Sequence, residues 1–169
     1  RSSLIEERIL LRWILKICAK ILRNGGYAVI EDRWSSQYLN RYHFRISTLI
    51  DVGVLDGTPV LYKAFEESNL LLVDPIPDLE QRSKDIVGQR SGQVVYSNSA
   101  AGRIDSLEEF WVDGALSGLK ERRDGFGSNK NSLKVQAKTL DSIVLEAGLP
   151  GPYGLKIDTE GSEKEVLEG

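Results

Sequence analysis

Leu49-Ile50-Asp51-Val52-Gly53-Val54-Leu55-Asp56-Gly57 is an apolar run that climbs into an acid and then into two glycines spaced G-x-x-x-G. Thr58-Pro59 follows, and Val60, Leu61, Ala64 and Phe65 then recur at helical spacing. The order reads as strand, glycine turn and helix start, with Thr58 as the cap and Pro59 at the first helical position. In an open α/β sheet such a corner lies outside the carboxyl end of a strand, where nucleotide-like ligands bind. Glycines there let backbone approach a ligand with no Cβ in the way.

Downstream, Leu70-Leu71-Leu72-Val73 reads as a buried parallel strand that ends in Asp74-Pro75. Asp74 lies 23 residues after Asp51. An acid about 20 residues beyond a glycine turn is placed to grip a ribose hydroxyl pair, because a carboxylate accepts two hydrogen bonds at once. A helix is expected over 77–87, closed by Gly88, and a third strand over 93–96. Asn98, at the exit of that strand, is a candidate for the base of a nucleoside; a plain turn asparagine is the other reading. Residues 109–112 and 133–137 pair as an antiparallel insertion within a stretch running from about 105 to 138. The polar, glycine-rich segment between them, 113–132, reads either as a substrate lid or as disorder. Thr139-Leu140-Asp141 opens a short helix. Tyr153 to Asp158 is another strand ending in an acid, and a helix begins after Glu163.

Upstream, residues 4–22 are dense in large aliphatics, and Arg8, Arg12, Lys16 and Lys20 fall on one stripe of a helix. Two readings stay open. The helix packs on its own domain or on a twin subunit, or it lies as a basic amphipathic helix on a membrane surface. The uncharged runs are too short to span a bilayer, which takes about 20 apolar residues. Cys18 sits within the apolar pattern and reads as a buried thiol. Tyr27 to Ile30 reads as a short strand, and 31–48 as irregular. His43 lies in this lead-in. It is a catalytic candidate because histidine titrates near neutral pH and the segment runs straight into the key strand; a structural or exposed histidine is the alternative.

The totals narrow the classes. A net charge of −3 argues against a nucleic-acid binder that works by bulk charge. One cysteine and one histidine exclude a disulfide framework and a Cys- or His-rich metal site. The chain divides into an N-terminal helix with its lead-in (1–46) and an α/β core (47–169).

Four blocks carry a resemblance: Asp51-Val52-Gly53 with Gly57, Asp74-Pro75, Thr139-Leu140-Asp141, and Leu155-Lys156-Ile157-Asp158-Thr159-Glu160-Gly161-Ser162-Glu163. In this order they resemble FkbM-type methyltransferases, over roughly residues 47–169. The resemblance implies a Rossmann-like class I sheet of central parallel strands with flanking helices, incomplete on its C-terminal side and preceded by the amphipathic helix. It implies S-adenosylmethionine as cofactor, with Asp51, Gly53 and Gly57 on its methionine side and Asp74 on its ribose. The expected reaction is O-methylation of a hydroxyl on a sugar, glycolipid or related metabolite, in the cytoplasm or at the membrane periphery. Asp158 would be the base, or a metal ligand together with Glu160; the same two acids can equally cap the following helix. Members carry Ala-Asn where this chain has Val54-Leu55, and Glu where it has Asp74. A homodimer completing the sheet is one expectation; a trimmed chain or a shortened member are others. The competing functions are an inactive or membrane-associated binding module on the same fold, and an NAD-dependent oxidoreductase. The latter fits less well, since the glycines lack the G-x-G-x-x-G spacing.

Overall fold

The computed structural model describes residues 13–22, 24–26, 35–112, 117–119 and 132–169. The chain forms two compact units, 1–34 and 35–169. In the first, residues 13–22 are helical (α1), and the chain turns at Gly25-Gly26, where the stop signal was expected. Trp13, Ile14, Leu15, Ile17, Ile21 and Leu22 are exposed. Cys18 is exposed too, which corrects the buried thiol expected of it. The expected strand at 27–30 and the helix before Trp13 lie outside the described residues. No helix among the described residues is long and apolar enough to cross a membrane.

The second unit opens with α2 (Ser36–Asn40), a helix that the irregular reading of 31–48 did not anticipate. The Ser35 hydroxyl accepts from the Tyr38 amide and caps it. Then come β1 (Thr48–Val52), α3 (Pro59–Ala64), β2 (Asn69–Val73), α4 (Leu79–Val87) and β3 (Val94–Ser97). β4 (Ala100–Ala101), β5 (Ser106–Trp111) and β6 (Ser132–Lys138) follow. The chain continues through α5 (Leu140–Ala147), β7 (Tyr153–Ile157) and α6 (Glu163–Glu168).

The main sheet has the order β3-β2-β1-β7, with every neighbouring pair parallel. β1 is therefore flanked on both sides, and all five of its residues are buried. Alternation splits its side chains between two cores. Ile50, Val52, Leu71 and Val73 pack with Ile143 of α5, Leu149 and Val166 of α6. Leu49, Leu70 and Leu72 pack with Val54, Tyr62 of α3 and Leu79 of α4. Helices thus cover both faces, as a parallel sheet requires. This is the Rossmann-like arrangement that the motifs implied. Among the described residues β7 is an edge strand.

The expected antiparallel insertion is present. β5 pairs with β6 from Ser106↔Ala137 to Trp111↔Ser132, and the short β4 adds to β6 in parallel, giving a second sheet of order β4-β6-β5. Ala100, Phe110, Val135 and Ala137 form its core, against which Ile76 and Leu119 pack.

Gly53 and Gly57 take positive φ, +78° and +73°. Their necessity lies within the protein. A Cβ on Gly53 would run into the carbonyl of Asp158, and one on Gly57 into Ile86 and Tyr62. Gly148, in contrast, has φ +64° with open space around it. Replacing Gly148 by Ala should cost only the left-handed backbone strain, about 1–2 kcal/mol. Gly53→Ala adds a steric clash to the same strain and should destabilise by clearly more, about 3 kcal/mol or above. Urea unfolding of both variants measures the difference; equal losses would contradict this account of Gly53.

Candidate active site

The carboxyl ends of β1, β2 and β7 open into one cleft, with about 860 Å³ of empty space that is partly open to solvent. Its floor is the turn Gly53–Thr58, the loop Asp74–Ile76, and Lys156 with Asp158 to Glu160. Ala100, Ala101 and Phe110 of the second sheet and the segment Ser117–Leu119 form the facing wall. The insertion read from sequence therefore borders the site. Most of the segment expected to act as a lid, 113–116 and 120–131, lies outside the described residues.

Asp51 does not face the cleft. It has no exposed surface, and three groups converge on it from two neighbouring elements and the turn. The Tyr62 hydroxyl donates to Oδ2 at 2.5 Å and the Thr58 hydroxyl at 3.2 Å. Lys156 Nζ lies 2.9 Å from Oδ1 and forms an ion pair with it. The register explains the meeting. Asp51 and Lys156 are paired residues on adjacent parallel strands, so their side chains share a face. Burial raises the Tyr62 phenol, and the charge of Asp51 and its hydrogen bond raise it further, so Tyr62 stays protonated and donates. Thr58 marks the start of α3 but makes no side-chain cap bond; its hydroxyl goes to Asp51 instead.

Asp74 is also buried, and both of its oxygens are engaged. Oδ2 accepts from the amides of Val54 (3.1 Å) and Leu55 (3.0 Å). Oδ1 accepts from the Ile76 amide (2.9 Å) and meets Arg82 Nη2 at 3.3 Å. Arg82 also reaches the carbonyls of Leu55, Ile76 and Pro77. Asp74 therefore holds the glycine turn to the loop after β2, a role that the strand-end reading did not foresee. Val54 and Leu55 contribute backbone amides to this carboxylate, a contact that is indifferent to the side chains they carry.

Lys156 reaches the cleft with its side chain 20% exposed, and Asp158 stands 64% exposed at the mouth. Their charged atoms are 3.9 Å apart. Lys156 Nζ also donates to the Gly53 carbonyl at 2.7 Å. Glu160 lines the cleft and carries a positive φ of 53°. Among the described residues no group of three or more His, Cys, Asp or Glu residues is arranged to hold a metal. Asn98 is exposed and donates to the Ile76 carbonyl at 3.1 Å, one residue back from the cleft lining. His43 is exposed in the segment leading into the opposite, amino end of β1 and does not line the cleft.

The family model for the methyltransferase FkbM domain matches residues 51–169, most of the chain. The chain belongs to the FkbM methyltransferase family. Membership implies methyl transfer from a donor of the S-adenosylmethionine type. No curated protein and no solved structure matches the chain. The cleft of this methyltransferase suits such a donor, which is a sulfonium cation. Among the described lining residues Asp56, Asp158 and Glu160 bring carboxylates, Asp74 is matched by Arg82, and Lys156 supplies the sole cation. Ile76, Phe110 and Leu119 supply an apolar side.

Sequence reasoning missed Lys156, Tyr62, Arg82 and Glu163. Lys156 stood in the family block without a role of its own, and the two-residue step from Lys156 to Asp158 was the available signal for a shared face. Glu163 accepts from the amides of Thr159 and Gly161, each at 3.1 Å, and so ties down the turn that carries Glu160. The Gly161 amide above all, then its own amide and Thr159, hold the Glu163 carboxyl below its ordinary value of 4.5. A depressed folded-state value means a contribution present above 4.5 that is lost as pH falls through the folded value. Glu163→Gln should therefore lower stability near neutral pH, with the gap to the unaltered chain closing in acid below 4.5. Denaturant titrations across that range check it; a gap independent of pH would contradict it.

Proposed function

We propose that the chain methylates a hydroxyl group on a sugar, glycolipid or related metabolite, using S-adenosylmethionine bound in the cleft beside β1. The observation that carries this reading is the Asp158 carboxylate at the mouth of an acid-lined cleft whose floor is built by Gly53–Thr58 and Lys156. When bound, the donor supplies an electrophilic methyl group on a sulfonium centre. The chain's part is to position, to desolvate and to take a proton. Ile76, Phe110 and Leu119 would hold the flat purine. Gly53 and Gly57 would flank the amino-acid end, with Asp51 behind them fixing the turn. Asp74 would act on the ribose through the loop it orders.

Asp158 would accept the hydrogen of the acceptor hydroxyl as its oxygen attacks. Lys156 Nζ lies 3.9 Å from the Asp158 carboxylate, beside the point where the acceptor oxygen would attack. Polyhydroxylated acceptors suit a mouth that presents Asp56, Asp158, Glu160 and Ser117, since carboxylates and hydroxyls satisfy sugar hydroxyls. A dinucleotide suits it less. Its pyrophosphate would face these carboxylates with Lys156 as the sole counter-charge among the described lining residues.

Calorimetry should show binding of S-adenosylmethionine and S-adenosylhomocysteine and none of NAD. Failure of both adenosyl ligands to bind would sink the reading. Asp158→Asn should reduce methyl transfer to a hydroxylated acceptor by about 10²–10⁴-fold, the usual worth of a positioned base. Affinity for S-adenosylhomocysteine should stay unchanged in that variant; a variant with undiminished transfer would remove Asp158 from the chemistry.

A further inference from the structure

The amino-acid end of an adenosyl donor carries a carboxylate, and a cleft lined with acids needs a cation to receive it. We propose that Lys156 is that cation: its ammonium forms the carboxylate subsite of the cleft. The inference rests on the adenosyl-donor reading above and adds to it the residue that recognises the acid group.

Three observations carry it. Lys156 is the sole basic residue among the described lining of the cleft. Arg82, the other cation nearby, does not line it, and its guanidinium is committed to Asp74 and to three loop carbonyls. The Lys156 ammonium also has capacity to spare. It has three N–H donors, and the hydrogen bond it makes is to the Gly53 carbonyl at 2.7 Å. A second N–H faces the Asp51 carboxylate in an ion pair at 2.9 Å, Asp158 at 3.9 Å lies beyond hydrogen-bond reach, and one donor remains for a ligand. Finally, the cation is already positioned. Strand register places Lys156 beside Asp51, and the Gly53 bond fixes its tip, so a ligand carboxylate would meet an ordered donor rather than a mobile chain end. Asp51 is fully buried behind the ammonium and does not line the cleft, so Lys156 stands between the ligand and that negative charge.

The test compares two neutral-sulfur probes by calorimetry at constant ionic strength: S-adenosylhomocysteine, and its decarboxylated analogue, which keeps the amine and lacks only the acid. The unaltered chain should bind the decarboxylated probe at least about tenfold more weakly, in line with a charge-assisted hydrogen bond. Lys156→Gln should lose about that factor for S-adenosylhomocysteine while its affinity for the decarboxylated probe stays within about twofold. Because this variant leaves Asp51 buried without its counter-ion, Lys156→Gln is also combined with Asp51→Asn, and the same selective loss is expected. Equal affinity of the unaltered chain for the two probes overturns the proposal, as does an equal loss of both probes in the double variant. An unaltered chain that binds neither probe removes the adenosyl-donor reading itself, and this inference with it.

Discussion

Asp51 has no exposed surface, and a carboxylate so placed must find charge and donors within the protein. Water cannot supply them. Lys156 comes from β7, Tyr62 from α3, and Thr58 from the turn between β1 and α3. Each of these segments must therefore sit where it can reach one carboxyl group. The parallel register of β1 with β7, the entry of α3 and the course of the glycine turn are all tied to that requirement. Removal of any partner leaves polar groups buried and unmet, a cost of several kcal/mol when a charge is involved.

Asp74 repeats the device one strand over. Its oxygens gather amides from the glycine turn and from the loop after β2, with Arg82 across the outside. Two buried acids thus shape the floor of the cleft. Asp51 gathers side chains and Asp74 gathers backbone amides; Lys156 and Asp158, two residues apart at the end of β7, present charge to the cleft. The two functions join at Lys156, which is at once the counter-ion of a buried acid and the cation of the site.

Much of this was legible in the chain. Apolar runs that end in an acid mark β1 and β2 almost to the residue, because a strand buried on both faces has a continuous apolar signature; β7, a partly exposed edge strand, is marked by its terminal acid and the breaking Pro150-Gly151-Pro152 before it. The cap at Thr139 and the stop at Gly88 delimit helices as their chemistry dictates. What escaped depends on long-range partners. The place of Asp51 at the glycine corner suggested a ligand contact, yet its burial is decided by Tyr62 and Lys156, the latter more than a hundred positions away. Gly53 looked like an opening for a ligand, and the Asp158 carbonyl is what forbids a side chain there. α2 was missed because its five residues lack any apolar period, and a single serine cap supports it. Tyr62 escapes a sequence reading because the spacing of Val60, Leu61, Ala64 and Phe65 marks a face of α3 without it, and its burial depends on Asp51.

The chain belongs to the FkbM methyltransferase family, and the location proposed for the methyl donor is the acid-lined cleft at the carboxyl ends of β1, β2 and β7. The most direct measurement is a titration of the isotopically labelled chain with S-adenosylhomocysteine, followed through backbone amide resonances. The account predicts shifts concentrated at Gly53–Thr58, Asp74–Ile76, Ser117–Leu119 and Lys156–Glu160, with Asn40–Ser47 at the amino end of β1 left unchanged. Shifts centred on Asn40–Ser47, or none on saturation, would contradict it.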